Sequence, residues 1–291
     1  MPAAQESSLK SALGIKRLGV IAGAGGLPAR LLAACDHAGI DVFVVGFEGQ
    51  TDKSIYEGRQ YMNTRIGAAG TIMNTLKTHD MRDLVMIGAI RRPTLMDLKP
   101  DLRTARFFAK VSLRALGDDG LLKAMRKELE AEGFRVHGVQ AFAHDLLAAE
   151  GTVGRFKPAR HDWPDVKRGI DVLRALGTVD VGQSIVIQDG VVLGIEAAEG
   201  TDELIRRCAA YKRKSGNSGI LVKLAKPGQD ESLDLPTIGP ETVRLCAETG
   251  LVGIVVEAGR SLIVDPEDVA SLANRHRMFV IAINADSDHH E

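Results

Sequence analysis

One stretch near the start of the chain, residues 16–47, constrains the fold more than any other. An apolar run typical of a buried strand, residues 16–23, ends in a glycine-rich turn. A helix-like stretch follows at residues 29–37, and a second buried-strand pattern occupies residues 42–47. Strand, glycine-rich turn, helix and strand in this order form the βαβ unit of mononucleotide-binding domains. The sequence therefore predicts a Rossmann-like N-terminal domain.

The glycine-rich turn indicates a phosphate site rather than a dinucleotide site. Gly23, Gly25 and Gly26 allow a ligand to approach the backbone closely. Pro28 stands where the third glycine of the dinucleotide fingerprint belongs, and proline in the first turn of a helix leaves the preceding amides pointing outwards. We interpret this stretch as an anion-binding turn, and a purely structural tight turn is the alternative.

Strand-like apolar runs alternate with helix-like stretches in both halves of the chain, which is typical of the α/β class. Residues 135–142 form one such strand-like run, and Asp189-Gly190 predicts a hairpin between two others. This pattern lapses in residues 151–164, where two prolines, several charged residues and the single tryptophan occur. We therefore predict a two-domain α/β protein. Its N-terminal, mononucleotide-binding-like βαβ domain covers residues 13–150, a linker covers residues 151–164, and a second α/β domain covers residues 165–285.

Composition excludes several classes of function. Lys and Arg number 37 against 38 Asp and Glu, and a net charge of −1 argues against a nucleic-acid partner. The 3 cysteines form no CxxC pair, so they indicate reduced thiols in a cytoplasmic protein. No apolar run is long enough to span a membrane, and no signal peptide pattern opens the chain. We expect a cytoplasmic protein without a nucleic-acid partner.

Two basic stretches of the N-terminal half each admit two interpretations. Arg91 and Arg92 follow a predicted strand, residues 83–90, that contains Gly88. Guanidinium groups at the carboxyl end of a strand can clamp phosphate, but a solvated basic turn has the same pattern. Residues 101–115 form a cationic amphipathic segment, which either lies on an anionic membrane surface or packs on the protein with its charges in water.

Two stretches of small and acidic residues precede predicted helices. Asp118 and Asp119 follow Gly117, and an aspartate at a helix N-terminus can cap free amides. Because one carboxylate suffices as a cap, the other is available for substrate or metal. Thr201 and Asp202 stand before a later helix and are also natural N-caps, which explains both residues without a ligand.

A loop framed by prolines follows the predicted strand at residues 220–224 and carries Lys226, Gln229 and Asp234. Proline and glycine restrict a loop's backbone, so polar side chains on it are held in place. Loops after strands are also where α/β scaffolds build their sites. Residue spacing alone does not distinguish a binding loop from a solvated connection.

Six stretches that include this loop form an ordered set from about residue 16 to residue 284. They are residues 18–28, Gly117-Asp118-Asp119, Glu199-Gly200-Thr201-Asp202, Lys226-Pro227 with Gln229, Asp234-Leu235-Pro236-Thr237-Ile238-Gly239, and Glu257-Ala258-Gly259-Arg260. Each is common by itself, but in this order they resemble the LpxI-type UDP-2,3-diacylglucosamine pyrophosphatases of lipid A biosynthesis. The stretch that begins at Asp234 is the strongest match.

The resemblance implies an activity and a catalytic residue. Enzymes of this family are Mg²⁺-dependent hydrolases that cleave a lipid-linked sugar nucleotide to UMP and 2,3-diacylglucosamine 1-phosphate, lipid X. Their essential aspartate matches Asp234, which we expect to be catalytic and to bind the metal, with Asp119 as the second catalytic candidate. The resemblance also implies a homodimer attached peripherally to the cytoplasmic face of the inner membrane.

The chemistry of diphosphate hydrolysis indicates what else the site needs. Mg²⁺ takes one or two protein carboxylates and fills its other positions with water and phosphate oxygens, and Mn²⁺ can replace it. We expect Lys226 and Arg92 to stabilise phosphoryl charge and Gln229 to hydrogen-bond the substrate. The full set of substrate-binding candidates is Gly23, Gly25, Gly26, Gly88, Arg92, Gly117, Asp118, Thr201, Asp202, Lys226 and Gln229.

Two other functions fit parts of the sequence. In a non-catalytic protein that binds a nucleotide sugar or a lipid phosphate, Asp234 would only organise its loop. A dehydrogenase would use the glycine-rich turn, but Pro28 weakens that interpretation. Under the hydrolase interpretation we expect Asp230→Ala, a change in the same loop, to be milder than Asp234→Ala.

Overall fold

The computed structural model describes residues 14–90, 99–110, 118–213 and 216–286, without the side chains of residues 110, 118 and 119. The chain divides into two compact units. Unit 1 consists of Met1–His144 together with the short segment Asp230–Asp234, and unit 2 consists of Asp145–Gln229 and Leu235–Glu291. Residues 151–164, for which the sequence predicts a linker, lie within unit 2.

Unit 1 contains a five-stranded, fully parallel sheet. Its strands are β1 (Arg17–Ala22), β2 (Asp41–Phe47), β3 (Gln60–Thr64), β4 (Asp83–Ile87) and β5 (Arg135–His137). The strand order is β3-β2-β1-β4-β5, so the chain reverses its direction of winding between β1 and β4. This is the Rossmann-like topology that the sequence predicts, with ligands expected at the carboxyl ends of β1 and β4.

The helices of unit 1 follow the predicted pattern. They are α1 (Leu27–Ala38), α2 (Ala69–Thr78), α3 (Leu102–Lys110) and α4 (Asp118–Ala131). Leu76, Leu84 and Phe134 are buried together in one hydrophobic core of unit 1. Leu233, from the distant segment Asp230–Asp234, is buried in the same core at 7% exposure. Burying a leucine side chain contributes about 2 kcal/mol, so this residue anchors its segment in unit 1.

One predicted strand of unit 1 is too long. The apolar pattern of residues 135–142 predicts a single strand, but the structure ends β5 at His137 and places a 3₁₀ turn at Val139–Ala141. Only three residues of β5 pair with β4, from Asp83 with Arg135 to Val85 with His137. Val139 is nevertheless buried. Its apolar side chain therefore reflects burial in a 3₁₀ turn and does not indicate a strand.

Unit 2 contains a six-stranded sheet and a separate two-stranded pair. The six strands are β6 (Gly151–Thr152), β7 (Ser184–Gln188), β8 (Val191–Ile195), β9 (Ile220–Lys223), β11 (Gly253–Glu257) and β13 (Phe279–Ile283), in the order β6-β13-β11-β9-β7-β8. The central strands β9, β11 and β13 are parallel, and the edges are antiparallel. The two-stranded pair joins β10 (Thr237–Ile238) to β12 (Leu262–Ile263).

The hairpin predicted from Asp189-Gly190 is confirmed. Both residues have positive φ, 49° and 73°, as a two-residue hairpin turn that matches the strand twist requires. The carboxylate of Asp165 accepts the amides of Asp189 and Gly190 at 2.8 and 2.6 Å. A side chain from the preceding helix therefore fixes the turn.

Helices cover both faces of the unit 2 sheet. They are α5 (Trp163–Gly177), α6 (Thr201–Cys208), α7 (Pro240–Glu248) and α8 (Pro266–Arg275). Alternate residues of β9 separate the two cores, because Ile220 and Val222 pack with α5 whereas Leu221 packs with the other three helices. None of the helices in the described ranges of the chain is long and apolar enough to cross a membrane.

Candidate active site

The carboxyl ends of β1 and β4 meet through two glycines. The backbones of Ala24 and Ala89 exchange hydrogen bonds of 2.7 and 3.0 Å just beyond the two strands. A Cβ on Gly23 would lie 2.5 Å from the carbonyl oxygen of Ala89, and a Cβ on Gly88 would lie 2.8 Å from that of Ala24. Both candidates therefore have a packing role, which allows the two strand ends to approach each other at the expected ligand edge.

Gly25 and Gly26 have a different environment from Gly23. A Cβ on either residue would meet no atom within 4 Å, so this part of the turn has free space beside it. Gly26 is the N-cap of α1 and, having no side chain, cannot cap the helix itself. Amides in the first turn of a helix have no intrahelical partner and favour a negative charge. The open backbone and the helix N-terminus together suit a phosphate group.

Several predicted residues of unit 1 lie outside the described part of the chain. Arg91, Arg92 and Gly117 are among them, so their predicted roles have no structural counterpart here. The backbone of Asp118 and Asp119 forms the first turn of α4, while their side chains are outside the described atoms.

Asp234 follows a tight turn of unit 1 and its side chain is exposed. It stands between two buried leucines, Leu233 and Leu235. The carbonyl oxygen of Asp230 accepts the amides of Leu233 and Asp234 at 2.9 and 3.3 Å, which closes the turn. The side chain of Asp234 is thus exposed between two buried neighbours.

The residues after Asp234 have a structural explanation of their own. Thr237 and Ile238 form β10, and the carbonyl oxygens of Pro236 and Ile238 accept the amides of Leu262 and Val264 at 2.8 and 2.9 Å. The strand pair therefore holds the chain directly after the exposed carboxylate.

Lys226 and Gln229 lie together in unit 2 and both have partners there. The ammonium of Lys226 forms an ion pair with Asp180. The side-chain oxygen of Gln229 accepts the backbone amide of Lys226 at 2.8 Å, and Gln229 is buried. These contacts close the turn at Pro227-Gly228, so each side chain has a structural role whether or not it contacts substrate.

Thr201 belongs to a buried polar cluster of unit 2. Its hydroxyl accepts a hydrogen bond from Lys223 Nζ at 2.6 Å and donates one to Glu196 at 3.1 Å, with the hydroxyl of Ser184 3.3 Å away. The alternative interpretation of Thr201 as an N-cap is wrong, because the N-cap of α6 is Gly200, with φ 82°. Thr201 and Asp202 are the first two residues of that helix, and Asp202 is exposed.

The stretch Glu257-Ala258-Gly259-Arg260, one of the six ordered motifs, lines a cavity of about 540 Å³ in unit 2. Glu257 is buried and accepts hydrogen bonds from the amide of Ala225 at 3.2 Å and from Arg260 at 3.1 Å. Asn284, directly after β13, lines the same cavity. Sequence reasoning assigned no role to Arg260 or Asn284, although each follows a strand that the pattern of apolar residues predicts.

The carboxylates of the described residues suit a magnesium site better than a zinc site. In the described part of the chain, no group of three or more His, Cys, Asp and Glu side chains is placed to hold an ion. A zinc site built wholly from protein ligands would need such a group. An exposed carboxylate such as that of Asp234 fits Mg²⁺, which commonly uses one or two carboxylates and takes its other oxygens from water and phosphate.

Comparison with known proteins identifies similar chains over nearly the full length. Residues 17–146 match the LpxI N-terminal domain, and residues 149–281 match the LpxI C-terminal domain. The chain is 35% identical over 278 residues to the UDP-2,3-diacylglucosamine pyrophosphatase LpxI of Caulobacter vibrioides (strain ATCC 19089 / CIP 103742 / CB 15). The match covers 93% of this chain and 98% of that protein.

Proposed function

The chain belongs to the LpxI family, and on that premise we propose that it hydrolyses the diphosphate of UDP-2,3-diacylglucosamine to UMP and 2,3-diacylglucosamine 1-phosphate. The observation that carries the proposal is the match with a pyrophosphatase of this name along 98% of its length. The exposed carboxylate of Asp234, on a turn whose neighbours are buried, is consistent with the chemistry.

Asp234 is the proposed catalytic residue and metal ligand. Its carboxylate can bind a hard cation or orient and deprotonate the attacking water. When bound, Mg²⁺ or Mn²⁺ would neutralise the negative charge that develops on the phosphate oxygens. The turn that carries Asp234 keeps the carboxylate in place, which limits the reorganisation needed during the reaction. Asp119, in the first turn of α4, remains the second catalytic candidate.

The backbone at Gly25 and Gly26 is the proposed diphosphate contact. It lies beside the N-terminus of α1 at the edge where Rossmann-like sheets bind ligands. Free space next to both glycines allows phosphate oxygens to approach the amides. The proposed site thus binds the diphosphate through backbone groups and performs hydrolysis with few carboxylates.

Peripheral attachment to the cytoplasmic face of the inner membrane and assembly into a homodimer are parts of the same proposal. The substrate named for the relative carries acyl chains, so the enzyme must meet it at a membrane surface. On α3, Leu102 is 70% exposed and stands next to Arg103, with Arg106 on the following turn. Exposed leucine beside arginine suits contact with anionic lipid.

Incubation of the purified protein with UDP-2,3-diacylglucosamine tests the proposal. We expect release of UMP and of lipid X in equal amounts in the presence of Mg²⁺. If the protein binds the substrate tightly but releases no UMP, the result would support the alternative. The protein would then be a non-catalytic protein that binds nucleotide sugars or lipid phosphates.

A further inference from the structure

The segment Asp230–Asp234 is attached to unit 1 by side chains that the proposed chemistry does not use. Its flanking residues, Gln229 and Leu235, belong to unit 2. The position of the segment in unit 1 therefore depends on its own contacts. Leu233 supplies an apolar anchor, but a single leucine leaves the orientation of the turn open. Polar contacts must determine that orientation.

Arg126 on α4 supplies those polar contacts. Its Nη1 lies 2.7 Å from Oδ2 of Asp230 and also donates to the hydroxyl of Ser232. The other carboxylate oxygen of Asp230 accepts the amide and the hydroxyl of Ser232. One carboxylate thus joins α4 to the turn and also bonds Ser232 within the turn. A side-chain bond from Gln140 to the carbonyl oxygen of Glu231, 3.0 Å, adds a further contact within unit 1.

Asp230 also remains charged under ordinary conditions. Burial raises the pKa of its carboxyl group, but hydrogen bonds from Ser232 and from Arg126 outweigh that effect and hold the pKa below its usual value. The Asp230 and Arg126 side chains are only 24% and 29% exposed, so solvent competes weakly for the pair. Charge-assisted hydrogen bonds of this kind have specific geometry.

The backbone transmits the position of Asp230 to Asp234. The carbonyl oxygen of Asp230 accepts the amides of Leu233 and Asp234, so a displacement of Asp230 displaces the backbone of Asp234. Arg126 lies on the same helix that begins with Asp118 and Asp119. The ion pair therefore fixes Asp234 relative to the helix that carries the second catalytic candidate.

We propose that Arg126 and Asp230 are positioning residues for Asp234, which hold its carboxylate at the distance from the start of α4 that the reaction requires. This inference rests on the proposed role of Asp234 in diphosphate hydrolysis. Misplacement of a reacting group by about 1 Å can cost on the order of a hundredfold in rate. Loss of the pair should accordingly lower kcat, while substrate binding through other groups persists.

The test compares UMP release by Arg126→Gln, Asp230→Asn and the double variant at several concentrations of substrate. We expect each single change to lower kcat by about tenfold to a hundredfold and to leave KM within about twofold. The double variant should be no slower than the slower single variant, because the first change already removes the shared contact. If the pair had only a structural role, the variants would lower the melting temperature but would not show a lower kcat at a nearly unchanged KM.

Two control variants belong to the same experiment. Lys77→Gln breaks another ion pair of unit 1, that of Lys77 with Glu132 at 2.6 Å, close to the end of α4. Glu130→Gln removes the second carboxylate partner of Arg126, which pairs with Nε, and leaves both partners of Nη1, Asp230 and Ser232, unchanged. Both controls should keep the kcat of the unmodified protein. If Arg126→Gln does not fold, Ser232→Ala removes a smaller part of the same network and should still lower kcat.

Asp234→Ala separates failure of this inference from failure of the proposed function. An inactive Asp234→Ala variant together with unchanged kcat in Arg126→Gln and Asp230→Asn overturns the positioning role alone. A raised KM with unchanged kcat overturns it as well. An active Asp234→Ala variant overturns the proposed role of Asp234, on which the inference rests.

Discussion

Asp234 is the residue on which the proposed mechanism depends most directly. Under the proposed mechanism its carboxylate acts on the reacting diphosphate, so Asp234→Ala should remove stabilisation of the transition state more than affinity for the substrate. We expect kcat to fall by about a hundredfold or more, with substrate still bound. UMP release measures the first effect, and equilibrium binding of UDP-2,3-diacylglucosamine measures the second.

The exposure of Asp234 makes this variant informative about function rather than stability. The side chain is exposed, so its loss should change the free energy of unfolding by no more than about 1 kcal/mol. Asp230→Ala should be the milder of the two for catalysis, because Asp230 acts only through the turn. An Asp234→Ala protein that folds and retains full activity would leave the carboxylate with a purely structural role.

Gly26 allows a direct test of the proposed phosphate-binding turn. Gly25 has φ 94°, so any larger residue there strains the backbone, and a loss of activity would be ambiguous. Gly26 has φ −79°, which any residue can adopt, and an added Cβ would meet no atom within 4 Å. Gly26→Val should raise KM by about tenfold or more if phosphate occupies that space.

Two controls complete the glycine experiment. Thermal unfolding measures whether each variant keeps its stability, and Gly26→Ser introduces a smaller side chain than valine. Gly26→Ser adds few atoms and a good N-cap, so it should be milder in KM and fully stable. An unchanged KM in Gly26→Val would mean that the turn is only a structural connection between β1 and α1.

At the scale of secondary-structure elements, a charged cluster joins β4 to β5. Arg135 and His137 of β5 lie 2.7 Å from Asp83, the first residue of β4. Burial raises the pKa of Asp83, but hydrogen bonds from Arg135 and His137 outweigh that effect and lower the pKa overall. Because β5 pairs with β4 through only three residues, this cluster adds side-chain contacts to a short backbone pairing.

The cluster predicts a dependence of stability on pH. A carboxylate whose pKa is lower in the folded state stabilises fully above its unfolded value of about 3.9, and this contribution is lost as pH falls through the folded pKa. Asp83→Asn should therefore destabilise by about 1–2 kcal/mol at pH 7. The difference from the unmodified protein should shrink at about pH 3 and below.

Urea unfolding at both pH values measures this effect. Asp36→Asn is the matched control, since Asp36 pairs with Arg59 but is half exposed. Solvent screening makes that pair worth less, so the control should lose no more than about 0.5 kcal/mol at pH 7. An Asp83→Asn protein that is equally destabilised at both pH values would exclude the charge as the cause.

For the whole molecule, the central prediction is the requirement for a divalent cation. The expected ligands are carboxylate and phosphate oxygens, so Mg²⁺ or Mn²⁺ should support hydrolysis. Excess EDTA should reduce UMP release by about a hundredfold or more, and added Mg²⁺ should restore it. Full turnover in EDTA, with no bound ion found by elemental analysis of the protein, would contradict the metal-dependent mechanism.

Much of the fold could be predicted because periodic apolar patterns and turn residues act locally. Residues 16–47 specify the first βαβ unit, and Asp189-Gly190 specifies a hairpin whose two positive φ angles few other pairs adopt. The apolar pattern does not predict strand β3, because its residues are mostly polar and none of the five is buried at this sheet edge. The strand predicted at residues 135–142 is too long, because Val139 is buried in a 3₁₀ turn and not in a strand.

The ordered motifs identify the candidate site residues in the sequence. They do not reveal which contacts each residue makes in the folded chain. Gly23, Gly88 and Gly26 look alike in sequence, yet the first two allow two strand ends to touch and the third has open space beside it. The sequence suggests that Lys226 is a cation that binds phosphate. In the folded chain its ammonium group forms an ion pair with Asp180. Such roles depend on neighbours far away in sequence.

Local sequence was therefore enough for the α/β class, the parallel N-terminal sheet and the family, since these follow from periodicity and from motifs in order. It could not place the segment Asp230–Asp234, which lies in the sequence of unit 2 but packs in unit 1. That placement depends on a core that accepts Leu233 and on Arg126, 104 residues away from Asp230. Contacts between residues so far apart in sequence depend on the tertiary fold, and no local pattern encodes them.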